Sequence, residues 1–261
     1  MTLQPLISVD VEAGLAHVRL CSPANGNVLD LPMIEALDGA LRQVEHAQPR
    51  AILISAEGCN FCVGGDVRGM ASAADRGALL RTMADGLHGG LRRLEGLGVP
   101  VVTAVNGSAA GAGLSLAIAG DIVIGGESSN YMMAYTAIGL SADGGSTYML
   151  PRLIGLRLTQ EMAYLNRRLD AAQALAGGLI TKVVPDDTLL DEALAVARHL
   201  ARGPTGAFRH MKRLLGDGFR NSFSDHLDAE AEAIGAAAET SDAGEGVRAF
   251  LERRKADFSG E

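Results

Sequence analysis

Apolar and polar residues alternate along "LISVDVEAGLAHVRLCSP", residues 6–23. A period of two on both sides of "EAG" predicts a β-hairpin. After the loop "SPANGNVLD" the period changes to that of a helix: Ile34, Leu37, Leu41 and Val44 share one face, Asp30 is placed to cap it and Pro32 lies in its first turn. "AILIS" is a short apolar run bounded by polar residues, which fits a buried strand. Leu80, Met83, Leu87, Leu91 and Leu94 return to helical spacing. "PVVTAVNG" and "DIVIGG" read as two further buried strands, with "SAAGAG" as a glycine-rich turn and "LSLAIAG" as a small-residue helix between them. Residues 128–155 are loop-rich, with paired glycines and a short helix. "LTQEMAYLNRRL", "DAAQALAGG" and "TLLDEALAVARHLAR" predict helices around the strand "ITKVVP". From "GPTGAFRHMKRLL" to "GEGVRAFLERRKADF" the pattern is helical throughout. Strands that alternate with helices, followed by a helical tail, predict an α/β fold.

Composition narrows the classes. The chain has 261 residues, 48% hydrophobic and 21% charged, which suits one sizeable folded unit. A net charge of −8 argues against nucleic-acid binding, which needs a basic surface. Three cysteines make no disulfide framework, and a reduced, cytoplasmic protein is expected. The first residues show no signal-peptide pattern. The charge-free stretch between Glu95 and Asp121 contains Pro100, Asn106 and many glycines, so it reads as buried structure and not as a membrane span.

"GCNFCVGGD", residues 58–66, is the first chemical candidate. Its C-x-x-C could hold a metal, but no second ligand pair accompanies it, and no metal is expected. "NGSAAGAGLSL" follows a strand and enters a helix, yet it lacks the third glycine of a dinucleotide fingerprint. A third reading joins the two tracts. Each is a strand, a glycine-rich turn and a helix, and each can expose one backbone N–H. Two such donors make an oxyanion hole, with the positive end of a helix behind it.

Three ordered blocks then carry a resemblance. "FCVGGDVRGM", "PVVTAVNGSAAGAGLSLAIAGDIVI" and "IGLSADGGSTYMLPRLIG" resemble the glycine-rich, N-G-x-A-x-G-G-G and P-x-x-G-G segments of the enoyl-CoA hydratase/isomerase (crotonase) superfamily. "GEGVRAFLERRKADFSG" resembles its usual C-terminal ending. The resemblance implies a spiral of repeated ββα units over residues 1–200 that binds acyl-CoA. It implies a helical trimerisation segment over 201–261, and a homotrimer or dimer of trimers. The substrate would be an acyl-CoA thioester, with no cofactor besides the coenzyme A it carries.

Residue by residue, the resemblance places the oxyanion donors at the N–H groups of Gly65 and Ala112, flanked by Gly64, Asp66 and Gly111. Arg68 would meet the coenzyme A phosphates. The two positions that hold glutamates in hydratases of this superfamily are Ser115 and Tyr135 here, and neither side chain is an adequate base at ordinary pH. Asp143 matches a position where some members, isomerases among them, carry a working aspartate. Flanked by Ile138 and Leu140, it would sit in the desolvated setting that proton shuttling calls for. Capping of the following helix is the structural alternative. His88 matches a catalytic histidine of a 4-chlorobenzoyl-CoA dehalogenase. Tyr135, Met132, Met133 and Tyr148 are candidates to line the acyl pocket. The expected activity is an enoyl-CoA isomerase with Asp143 as proton shuttle. A hydratase, a dehalogenase or thioesterase, and a non-catalytic CoA-ester-binding paralogue are the alternatives.

Overall fold

The structure, a computed structural model, describes residues 5–261. Strands β1 (Ile7–Glu12) and β2 (Leu15–Leu20) form the expected hairpin, with Ile7 opposite Leu20 and Glu12 opposite Leu15. Helix α1 (Leu31–Ala47) starts at Asp30, whose carboxylate accepts the Met33 N–H at 2.9 Å. Its apolar face, Ile34, Leu37, Leu41 and Val44, is buried as the spacing predicts. Strand β3 (Ala51–Ala56) runs parallel to β2, and after it come α2 (Val67–Ser72), α3 (Arg76–Gly96) and β4 (Val101–Val105).

From here the chain repeats one motif. β4 is followed by a three-residue strand β5 (Ser108–Ala110) and helix α4 (Ala112–Ala117). β6 (Ile122–Gly126) is followed by β7 (Asn130–Met132), a loop, and helices α5 (Ser146–Leu153) and α6 (Gly155–Tyr164). β8 (Leu169–Asp170), α7 (Ala171–Ala176) and β9 (Lys182–Val184) then close the spiral. The first strand of each unit joins a six-stranded sheet of order β1-β2-β3-β4-β6-β9, and the short strands pair as β5-β7-β8. The ββα repeat expected from the resemblance is present.

The chain's own pattern did not show β5, β7 or β8. "SAA" reads as part of a turn, and helix α6 stops at Tyr164 where a longer one was expected. Asn166 adopts a left-handed backbone (φ +51°), and Leu169 leaves for the small sheet.

The large sheet is covered on both faces, which is why its strands are continuous apolar runs. Ile52 and Ile54 face the main core with α1 and α3 residues. Ala51, Leu53, Val102 and Ile124 face helix α8 (Leu189–Ala201) through Leu189, Ala193 and Ala197. A polar pair is buried in this frame. His17 on β2 lies with Nε2 2.8 Å from Ser55 Oγ, and burial, reinforced by Arg19, lowers its pKa to about 4.

Helices α9 (Thr205–Asp217), α10 (Phe223–Ala238) and α11 (Ser241–Glu252) follow. The helical pattern expected to the end breaks at Arg253, which is left-handed (φ +55°). The last residues lie back along the molecule: Asp242 accepts the Ser259 and Gly260 N–H groups, and Arg50 donates to the carbonyls of Gly203 and Phe258. No described helix is long and apolar enough to cross a membrane.

Candidate active site

The two glycine-rich loops are locked to each other by backbone. Cys62 pairs with Ala109 in a one-residue parallel bridge: the Cys62 N–H donates to Ser108 O, and the Ala110 N–H donates to Cys62 O, both at 3.0 Å. Gly65 and Ala112 each stand three residues beyond that pairing, so the register carries them forward together. The loops stay close: a Cβ built on Gly111 would lie 3.7 Å from the Gly64 Cα. Gly113 fixes the separation, because a Cβ there would lie 2.3 Å from Cys62 O and 2.7 Å from its Sγ. Among the described residues, neither the Gly65 N–H nor the Ala112 N–H has a protein acceptor. Helix α4 begins at Ala112, two residues earlier than its pattern suggests. With six residues its dipole is modest, and the N–H groups themselves are what the site offers.

The C-x-x-C has no shared site. Cys59 is exposed, whereas Cys62 is buried at the loop junction and burial pushes its thiol up to about 12. A thiol held protonated is a poor ligand and a poor nucleophile. Asp66 caps α2, accepting the Arg68 N–H at 3.1 Å. The Arg68 side chain is exposed.

The second part of the site is made of side chains. Ser115 lies one turn after Ala112 on the same face of α4, so its surroundings adjoin the paired donors. Its hydroxyl donates to the backbone carbonyl of Asp143 at 3.0 Å, and the Ser146 hydroxyl donates to the same oxygen. Gly144, left-handed at φ +62°, packs flat against Ser115: a Cβ there would come within 2.5 Å of the Ser115 Cβ. The Gly144 N–H donates to His88 Nε2 at 3.0 Å, so the ring accepts through that atom and carries its proton on Nδ1. His88, from α3, therefore pins the backbone beside Asp143, and its Nε2 lone pair is occupied.

The Asp143 side chain does not cap α5. That helix starts after Gly145 with no side-chain cap. The carboxylate instead accepts the Tyr135 hydroxyl at 2.6 Å. Burial, and then the Asp143 charge, push the Tyr135 phenol well above its ordinary range, so it stays protonated and stays a donor. The expected flanking also changes. Ile138 is 50% exposed, while Leu140 packs partly against the core. Tyr135, the residue in one missing glutamate's position, is the aromatic group that shields Asp143. Of the other pocket candidates, Met133 is buried in the core and Tyr148 lines a large cavity behind α5.

No pattern in the chain announces the Tyr135–Asp143 bond, the Ser115–Asp143 contact or the His88–Gly144 contact. All three depend on how a loop folds back. The one available hint was that Ser115 and Tyr135 occupy the two glutamate positions of the resemblance.

Comparison with known proteins gives the family. Residues 10–261 match the enoyl-CoA hydratase/isomerase family. A probable enoyl-CoA hydratase of Rhodobacter capsulatus is 37% identical over 97% of this chain and 98% of its own length. The 1,2-epoxyphenylacetyl-CoA isomerase of Escherichia coli is also 37% identical, over 96% of this chain and 97% of its own. The crystal structure of an enoyl-CoA hydratase from Bacillus anthracis superposes with a TM-score of 0.92 at 30% identity, covering 98% of this chain and all of that one.

Proposed function

This chain belongs to the enoyl-CoA hydratase/isomerase family of enzymes, and from that premise we propose that it is an enoyl-CoA isomerase with Asp143 as its proton shuttle. The observation that carries the reading is the 2.6 Å hydrogen bond from Tyr135 to Asp143. It fixes the Asp143 carboxyl group beside Tyr135, and Ser115 and Tyr135 stand where the resemblance has the two glutamates of the hydratase pattern. The thioester oxygen sits on the N–H groups of Gly65 and Ala112. Asp143 takes a proton from the carbon next to the thioester carbonyl, and the electron pair moves into a dienolate whose oxygen those two donors stabilise. Asp143 then returns the proton to the carbon at the far end of the dienolate. The double bond has moved by one position, and no atom has been gained or lost. Binding by Arg68 of the coenzyme A phosphates completes the reading, since its guanidinium is exposed and has no acidic partner among the described residues. The similarity to an acyl-CoA isomerase supports this choice.

The similarity to a protein named as a hydratase favours a second reading, in which Asp143 alone activates water. A 3-enoyl-CoA and crotonyl-CoA, each given to the wild type and to Asp143→Asn, separate the two. Isomerisation of the 3-enoyl-CoA that disappears in the variant is the expected result. Hydration of crotonyl-CoA at a rate near that of isomerisation would overturn it. Binding of CoA esters without turnover of any of them would make the chain a binding protein.

The C-terminal helices also fit the role of trimerisation. Phe223, Ile234 and Phe250 on α10 and α11 are 81%, 73% and 82% exposed in the single chain, a liability that assembly would remove. Light scattering of the purified protein reads the assembly directly, and a monomer would refute that role.

A further inference from the structure

A cavity of about 940 Å³ opens behind the Asp143 segment. Its inner end is formed by His88, Ser115 and Gly144, the groups that hold Asp143 in place. Its lining is also apolar in part, with Leu91, Leu94, Ala119 and Met149. Its mouth is cationic: Arg92, Arg152, Arg209, Lys212, Arg213 and Arg220 stand against Glu95, Asp121 and Asp217. Two of those three carboxylates are already engaged, Asp121 by Lys212 at 2.8 Å and Asp217 by Arg220 at 2.6 Å. Among the described residues, Arg92, Arg152, Arg209 and Arg213 have no acidic partner. In a chain of net charge −8 this local excess has the opposite sign to the whole.

Arg152 is the most organised of the four. Its guanidinium carbon lies 3.6 Å from the centroid of the Tyr148 ring and 5.3 Å from that of Phe219, and one N–H donates to the Tyr148 carbonyl at 2.6 Å. Two rings and a carbonyl hold the plane of the guanidinium, which leaves its other N–H groups for an acceptor in the mouth. The lining therefore combines buried groups of the Asp143 segment, apolar side chains and exposed free arginines.

We propose that this cavity receives the far end of the acyl chain, and that this end carries a carboxylate met by Arg152. The substrate class is then an enoyl-CoA whose acyl group is a dicarboxylic half-thioester. This rests on the reading that places the thioester at Gly65 and Ala112 with Asp143 acting on it. The apolar side chains take the methylenes, and the arginine replaces the water lost by the terminal carboxylate.

Calorimetric binding of saturated thioesters tests the site without any turnover. The probes are adipoyl-CoA, hexanoyl-CoA and free coenzyme A, titrated into the wild type, Arg152→Gln and Arg213→Gln. The wild type is expected to bind adipoyl-CoA at least tenfold more tightly than hexanoyl-CoA. Arg152→Gln should remove most of that preference and leave hexanoyl-CoA and coenzyme A unchanged; Arg213→Gln should reduce it in the same sense and serves if the first variant fails to fold. Equal affinity for the two thioesters in the wild type overturns the proposal. So does a loss shared by all three probes, which would assign the mouth to the coenzyme A phosphates. A carboxylate preference in a protein that isomerises nothing would sink the isomerase reading and leave this site standing.

Discussion

The two halves of the site are built from different materials. The proposed oxyanion half is backbone: two N–H groups, Gly65 and Ala112, set by a one-residue bridge and by the missing side chain of Gly113. The proposed acid–base half is side chain: Asp143 aimed by Tyr135, with its backbone held by Ser115, Ser146 and His88. A backbone donor survives most substitutions, so alanine can stand at position 112 and still offer its N–H. A side-chain base survives none. The first half can therefore persist through a family while the second changes the reaction.

Four changes press on that contrast, and the largest effect is expected from the side-chain half. Asp143→Asn should lower kcat for 3-enoyl-CoA isomerisation by about a thousandfold, the scale of a lost general base, with coenzyme A ester affinity retained. A fall of less than tenfold would move the base elsewhere. Ala112→Pro attacks the backbone half. Proline is well tolerated at the first position of a helix, so α4 should form while one donor disappears. The expected loss is about a hundredfold in kcat, with an unchanged circular dichroism spectrum.

The third change is a control on the frame that carries both halves. Unfolded His17 takes a proton near pH 6.5, but folded His17 does so only near pH 4, so between these values protons favour the unfolded chain. Denaturant melts should show about 2 kcal/mol of stability lost from this group between pH 7.5 and pH 5, and His17→Gln should lack that share of the slope. An equal slope in the variant would place the acid sensitivity in other groups. The smallest effect belongs to Tyr135→Phe. Loss of one hydrogen bond to a charged acceptor should cost about tenfold in kcat with KM little changed. A phenylalanine variant as active as wild type would mean that Asp143 is aimed by its backbone alone.

Much of the frame was legible because it follows long periods: the hairpin, α1 and α3 each repeat an apolar face over several residues. The small sheet was not. β5 and β7 have three residues and β8 has two, too few for any period, and "SAA" packs by smallness. Within the site, Gly65 and Ala112 could be found because two strand–turn–helix tracts announce themselves. Asp143 could be named from a matching motif, but its surroundings could not. Ile138 and Leu140 are its neighbours in sequence, yet Ile138 turns to solvent and Tyr135, eight positions away, covers the carboxylate. In a loop, adjacency along the chain does not predict adjacency in space.

The bridge between Cys62 and Ala109 also has a consequence for how the site would look to solvent deuterium. The amides of Cys62, Ala110 and Gly111 are bonded in a tight core, whereas those of Gly65 and Ala112 have no protein acceptor among the described residues. Two fast-exchanging protons thus sit beside a slow-exchanging seam. An enolate analogue that fills the hole would quiet those two and leave the seam as it was, so the reaction centre can be located by exchange alone before any product is measured.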